Sequence, residues 1–170
     1  MEFMVAILSK YGLEILGIAI IVGMIGLAFH KSSTQIATSW ESDLVTNIDG
    51  YYQGGLTAKN FSGLSNSVAI KAALAPKGMM TGDGNTLKGP WSNSYVTLSP
   101  TGNGMGFIVN WTEVPNDDCA TFAHSQGATT ISINGTAIDP TNSNAATNIA
   151  LACDAGSSSS TTTISFEHDS

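Results

Sequence analysis

Cys119 and Cys153 are the residues whose chemistry is easiest to name. In a chain that also carries a membrane-spanning segment, two thiols point to a disulfide closed in an export compartment. A metal site needs more ligands nearby, and His124 alone does not supply them. The other histidines, His30 and His168, lie far off in sequence. No G-x-S-x-G or H-E-x-x-H motif is present, and Asp117 with Asp118 reads as the first turn of a helix, where the dipole favours anions. Gly82-Asp83-Gly84 lacks the preceding strand and following Gly-Lys-Ser/Thr of a phosphate loop. Asn60, Asn110 and Asn134 each begin a glycosylation sequon, as chance allows in a chain so rich in Asn, Ser and Thr. Catalysis therefore has little support, and no cofactor or metal ion is expected. The charge that asks for an explanation is Glu14, alone in the apolar run from Leu13 to Phe29. An ionisable group in a membrane helix is costly and takes a partner. Lys10 on the same helix is one candidate, at the i,i+4 spacing. A positive group on a neighbouring copy, Lys10 or a chain N-terminus, is the other. Glu2, at a helix start, competes for the same kind of pairing.

The element that must position these charges is the first half of a long helix. Residues 1–29 are almost wholly apolar. As a helix at about 1.5 Å per residue they span about 43 Å, more than a bilayer core needs. Backbone groups in lipid must be satisfied internally, which fixes the segment as helical there. A secretory signal is a poor match: residues 1–9 hold no Lys or Arg, the apolar run is too long, and no A-x-A site follows. The segment is expected to be retained. Lys10, His30 and Lys31 give no clear orientation. Gly12, Gly17, Gly23 and Gly26 punctuate it, either as ordinary membrane-helix glycines or as sites for tight packing between copies, with local unwinding near Gly23 and Gly26. Ile36, Trp40, Leu44 and Ile48 then follow at steps of four, an apolar stripe that extends the helix to about residue 52 and offers a seat for a sheet.

The remainder reads as one globular head. Residues 1–31 form the apolar helix, 32–53 its amphipathic continuation, 54–93 a long loop with a short helix at 65–75, and 94–170 a β-rich head. Strands are expected at 94–99, 106–111, 129–133, 136–138 and 161–166, with Asn134-Gly135 as a hairpin turn. Helices are expected from Pro115 and over 144–152, while 77–92 reads as a turn-rich loop. The fold class is α+β, an antiparallel sheet burying one face on the stripe. Net charge is −7, with six lysines and no arginine, which argues against nucleic acid as a partner. Only 11% of residues are charged, and the hydroxyl-rich surface suits a secreted protein or an assembly subunit.

This arrangement resembles the type IV pilins, and among them the type IVb group of thin conjugative, bundle-forming or toxin-coregulated pili. Residues 1–29 are similar to the apolar half of the pilin helix and 32–52 to its amphipathic half. Glu41 to Tyr52, running into Gly54-Gly55, is similar to the approach to the αβ-loop. The stretch 106–115, followed shortly by Cys119, is similar to the strand before the disulfide-bounded helix, and Cys119 and Cys153 to the cysteines bounding the D-region, 119–153. The resemblance implies a structural subunit rather than an enzyme. It implies a leader removed by a prepilin peptidase, N-methylation of the new terminus, an inner-membrane stage, and polymerisation by the pilus machinery into an extracellular helical homo-oligomer for adhesion, aggregation or conjugation. Pilins usually carry a glutamate five residues into the mature chain; with Met1 as mature start, the preferred reading, Val5 stands there. With Glu14 in that role, maturation would fall after Ser9. Glu2 and Glu14 are thus both open as the assembly glutamate. The alternatives are a minor pilin or pseudopilin, and a monomeric membrane-anchored binding module outside the cytoplasm.

Overall fold

The computed structural model describes residues 32–53, 59–154 and 160–169. The chain divides into two units, Met1–Ser32 and Ser33–Ser170. The predicted apolar helix lies outside the described residues, and among those described no helix is long and apolar enough to cross a membrane.

Helix α1 is Ser33–Tyr52. Its buried residues are Thr34, Ala37, Glu41, Leu44 and Ile48, at alternating steps of three and four. This departs from the expected stripe at steps of four. Four residues advance a helix by a full turn and about 40° more, so such a row winds around the axis. Leu44 and Ile48 are fully buried, whereas Ile36 and Trp40 are half-buried at the rim. Ala37 and Glu41 hold the inner positions instead.

Ser65 caps helix α2, Asn66–Lys71, its hydroxyl accepting from the Val68 amide. The stretch expected to be an irregular loop contains a 3-10 turn, Lys77–Met79, and a short strand β1, Leu87–Lys88. Asp83 explains the reversal between them: its carboxylate accepts from the amides of Asn85 and Thr86, both at 2.8 Å. That Asx-type turn returns the chain so that Leu87 bridges Met80 and pairs with Val96.

Strands β2 (Tyr95–Pro100), β3 (Gly106–Pro115), β4 (Thr130–Ile133), β5 (Thr136–Ile138) and β6 (Thr161–Asp169) complete a sheet of order β1-β2-β3-β6-β4-β5, each neighbouring pair antiparallel. The β4–β5 turn has φ of 49° at Asn134 and 83° at Gly135, the pair of left-handed residues that a two-residue hairpin of type I′ demands. Strand β6 alternates strictly, with Thr162, Ile164, Phe166 and His168 facing inward. Helix α3 is Asn116–His124 and helix α4 is Ala145–Asp154. Both pack on the inner face of the sheet, around Phe122, Trp111 and Phe166.

Candidate functional site: the helix seat and the disulfide-bounded region

The seat of α1 is built from two strands. Period-two alternation turns Trp111 of β3 and His168 of β6 toward the helix, and the alternating steps of α1 turn Glu41 toward them. Glu41 is 1% exposed. Its Oε2 accepts from the Trp111 indole Nε1 at 2.8 Å, and its Oε1 lies 3.2 Å from His168 Nε2. The imidazole stacks on Phe107, ring centroids 5.2 Å apart. Burial pushes the Glu41 carboxyl above its ordinary value; the His168 hydrogen bond, the His168 charge and the Trp111 indole pull it back in part. A buried carboxylate with two donors in place satisfies the rule that interior charge is paired.

Apolar packing surrounds this polar cluster. Trp40 rests over Gly78, where a Cβ would overlap the indole. Beyond it, the loop before α2 enters the core through Phe61, which lies against Tyr52 and Phe107. Asn66, first residue of α2, extends the sheet's hydrogen bonding: its amide donates to Val96 O and accepts from Leu98 N, both at 2.8 Å. The α2 segment is thereby fixed to β2 without a strand of its own.

Across the sheet, Cys119 of α3 and Cys153 of α4 are joined, S–S 2.04 Å. Three residues beyond Cys119, Phe122 meets Trp91 and Trp111 edge-on at 5.4 and 5.1 Å. Trp91 donates its indole N–H to Asp118 at 2.7 Å, so one of the two first-turn aspartates also anchors a loop. Two open grooves flank α3. One, about 290 Å³, lies between α1 and the Ser125–Gln126–Gly127 turn, with Thr38, Ser42 and His168 on its walls. The other, about 360 Å³, lies between α3 and α4, with His124 and Ile149 on its walls. Among the described residues no group of three His, Cys, Asp or Glu side chains is placed to hold a metal ion.

The predicted assembly residues Met1, Glu2, Lys10, Glu14, Gly23 and Gly26 lie outside the described residues. The structure gathers Leu44 and Ile48 with three residues that sequence reasoning did not single out, Glu41, Trp111 and His168. Two signals pointed to them. Glu41 is in phase with Ala37, Leu44 and Ile48 on a 3.5-residue period, and His168 continues the alternation of Ile164 and Phe166.

Comparison with known proteins agrees with this build. The PilS N-terminal family model matches residues 35–168. The structure is similar to that of a type IV b pilin from Salmonella typhi, with TM-score 0.60 and 24% identity, covering 79% of this chain and 99% of that one. It is also similar to TcpA, a type IV pilin from Vibrio cholerae El Tor biotype, with TM-score 0.52 and 14% identity, covering 82% of this chain and 100% of that one. No curated protein matches the sequence. With the family model spanning the head from α1 to β6, the chain belongs to the PilS family, and it shares the fold of these type IV pilin structures.

Proposed function

We propose that this chain is the major structural subunit of an extracellular type IVb pilus, polymerising through its N-terminal segment into a helical filament of identical subunits that serves adhesion, aggregation or conjugative transfer. The observation that carries this reading is a pilin head seated on a helix whose preceding residues, 1–31, are almost wholly apolar in sequence. An apolar helix needs lipid before assembly and other helices afterwards; exchanging one apolar surround for another leaves small residues and charge pairs to decide register. Glu14 and Glu2 are the proposed registration charges, with Lys10 or a chain N-terminus of a neighbour opposite them. Gly23 and Gly26 are the proposed points of close helix approach. Before assembly the subunit resides in the inner membrane, after processing by a prepilin peptidase.

Negative-stain microscopy of sheared cell-surface material tests the reading, beside the Glu14→Lys variant. Thin filaments composed mainly of this chain are expected from the wild type, and none from the variant, with its head still folded by circular dichroism. A strictly monomeric membrane protein would point instead to an anchored binding module; a trace component of another filament would point to a minor pilin. Normal filaments from Glu14→Lys would remove that residue from the mechanism.

A further inference from the structure

The polar cluster beneath α1 is more than a satisfied interior pair. Its three members come from three separate elements: Glu41 from α1, Trp111 from β3 and His168 from β6. The carboxylate is sealed, yet the imidazole forms part of the wall of the 290 Å³ groove between α1 and the Ser125–Gly127 turn. A proton thus has a route between solvent and a charge deep in the seat. Just above, the Thr38 hydroxyl meets the Ser125 hydroxyl at 3.0 Å, a second polar tie between α1 and the same wall.

We propose that Glu41 and His168, with Trp111 as fixed donor, form a proton-operated latch: one proton held between carboxylate and imidazole clasps α1 to β6, and its departure to the groove loosens the clasp. With the proton in place the pair carries no net charge, whether as imidazolium with carboxylate or as acid with imidazole. Without it, a single negative charge stays in the core, held by the Trp111 N–H and by a neutral imidazole. Among the described residues no other titratable group is placed to offset that charge. Asp118 of α3 is turned to the Trp91 indole, and His124 lines the groove on the far side of α3. Glu167, next along β6, faces away from α1, and Asp169 is exposed. The upward displacement of the Glu41 carboxyl agrees in sign. A carboxyl raised by folding contributes stability that is complete below its unfolded value and is lost as pH rises through the folded one. The latch belongs to the folded head and does not depend on filament formation.

The test uses the full chain in mild detergent with 15N-labelled tryptophan. The Trp111 indole resonance is expected to move through one titration as pH rises above the ordinary carboxyl range, with Trp40 as internal reference. Through the same titration the melting temperature of the wild type is expected to fall, by about 3–6 °C for a tenfold tightening of the proton on folding. Glu41→Gln keeps the hydrogen-bonding shape and removes the carboxylate, so the wild-type fall of the melting temperature with rising pH and the accompanying Trp111 shift are both expected to be lost. An indole that does not titrate in the wild type, or a Glu41→Gln melt with the wild-type pH slope, overturns the latch. Should Glu41→Gln fail to fold, the wild-type indole titration decides alone.

Discussion

Replacing Cys119 and Cys153 together by alanine should destabilise the head by a few kcal/mol, mainly through the unfolded chain. The bond joins residues 34 apart in sequence. Closing a loop of that length removes about 12–13 cal/mol/K of chain entropy, which at 25 °C is about 3.8 kcal/mol. Against a typical domain stability of about 5–15 kcal/mol, that is a large share. The loop contains β4 and β5 with most of α3 and α4, so without the bond the open chain gains freedom along the whole D-region. Urea unfolding of the full chain in mild detergent measures the effect by tryptophan fluorescence. Trp91 and Trp111 report on α3 directly, because both rings pack on Phe122. The midpoint is expected to drop by an amount equivalent to about 2–4 kcal/mol, and the slope to steepen as the unfolded state expands. Cys119 is fully buried and Cys153 is 4% exposed, so reductant should cleave the wild-type bond in urea and spare it in buffer. A double variant within about 1 kcal/mol of the wild type, with an unchanged slope, would refute the entropic reasoning.

Two further substitutions probe the seat. Asn66→Ala removes both bonds from α2 to β2 and leaves Val96 O and Leu98 N without those partners; a loss of about 1–3 kcal/mol is expected, with faster amide exchange at Leu98. Unchanged protection of Leu98 would show that the sheet edge does not need this clamp. Gly78→Ala places a methyl where the Trp40 indole lies, so the ring must move outward, with red-shifted emission and a cost of about 1–3 kcal/mol. An emission spectrum identical to the wild type would mean that the 3-10 turn yields instead.

What the sequence made legible was local. Asn134-Gly135 announced its hairpin because few residue pairs tolerate two left-handed conformations in succession. Asp117 and Asp118 marked the start of α3 by their place in its first turn. The differences came where a pattern had to be continued or paired at a distance. Trp40 does pack against the head, over Gly78, but a four-residue step drifts, so Ile36 and Trp40 lie at the rim and the innermost positions belong to Ala37 and Glu41. An acidic residue at a buried position carries no local mark; only its phase with Leu44 and Ile48 gives it away. Strand β1 has two residues and exists because Asp83 turns the chain, so no alternation could announce it. The place of β6 between β3 and β4 is a non-local fact, written in no single stretch.

That placement governs when the head can form. As the chain is made, β1, β2 and β3 emerge together, then β4 and β5, and the strand that joins the two groups arrives last. Trp111 waits for Ile164 across 53 residues of chain before it has its partner, and Ile133 waits for the same residue from the other side. Such late, distant pairing is slow, and until it happens the inner edge of β3 stands open to any other extended chain. Residues 161–169 therefore complete the sheet. Without residues 161–169, the groups β1–β2–β3 and β4–β5 have no strand to join them into one sheet.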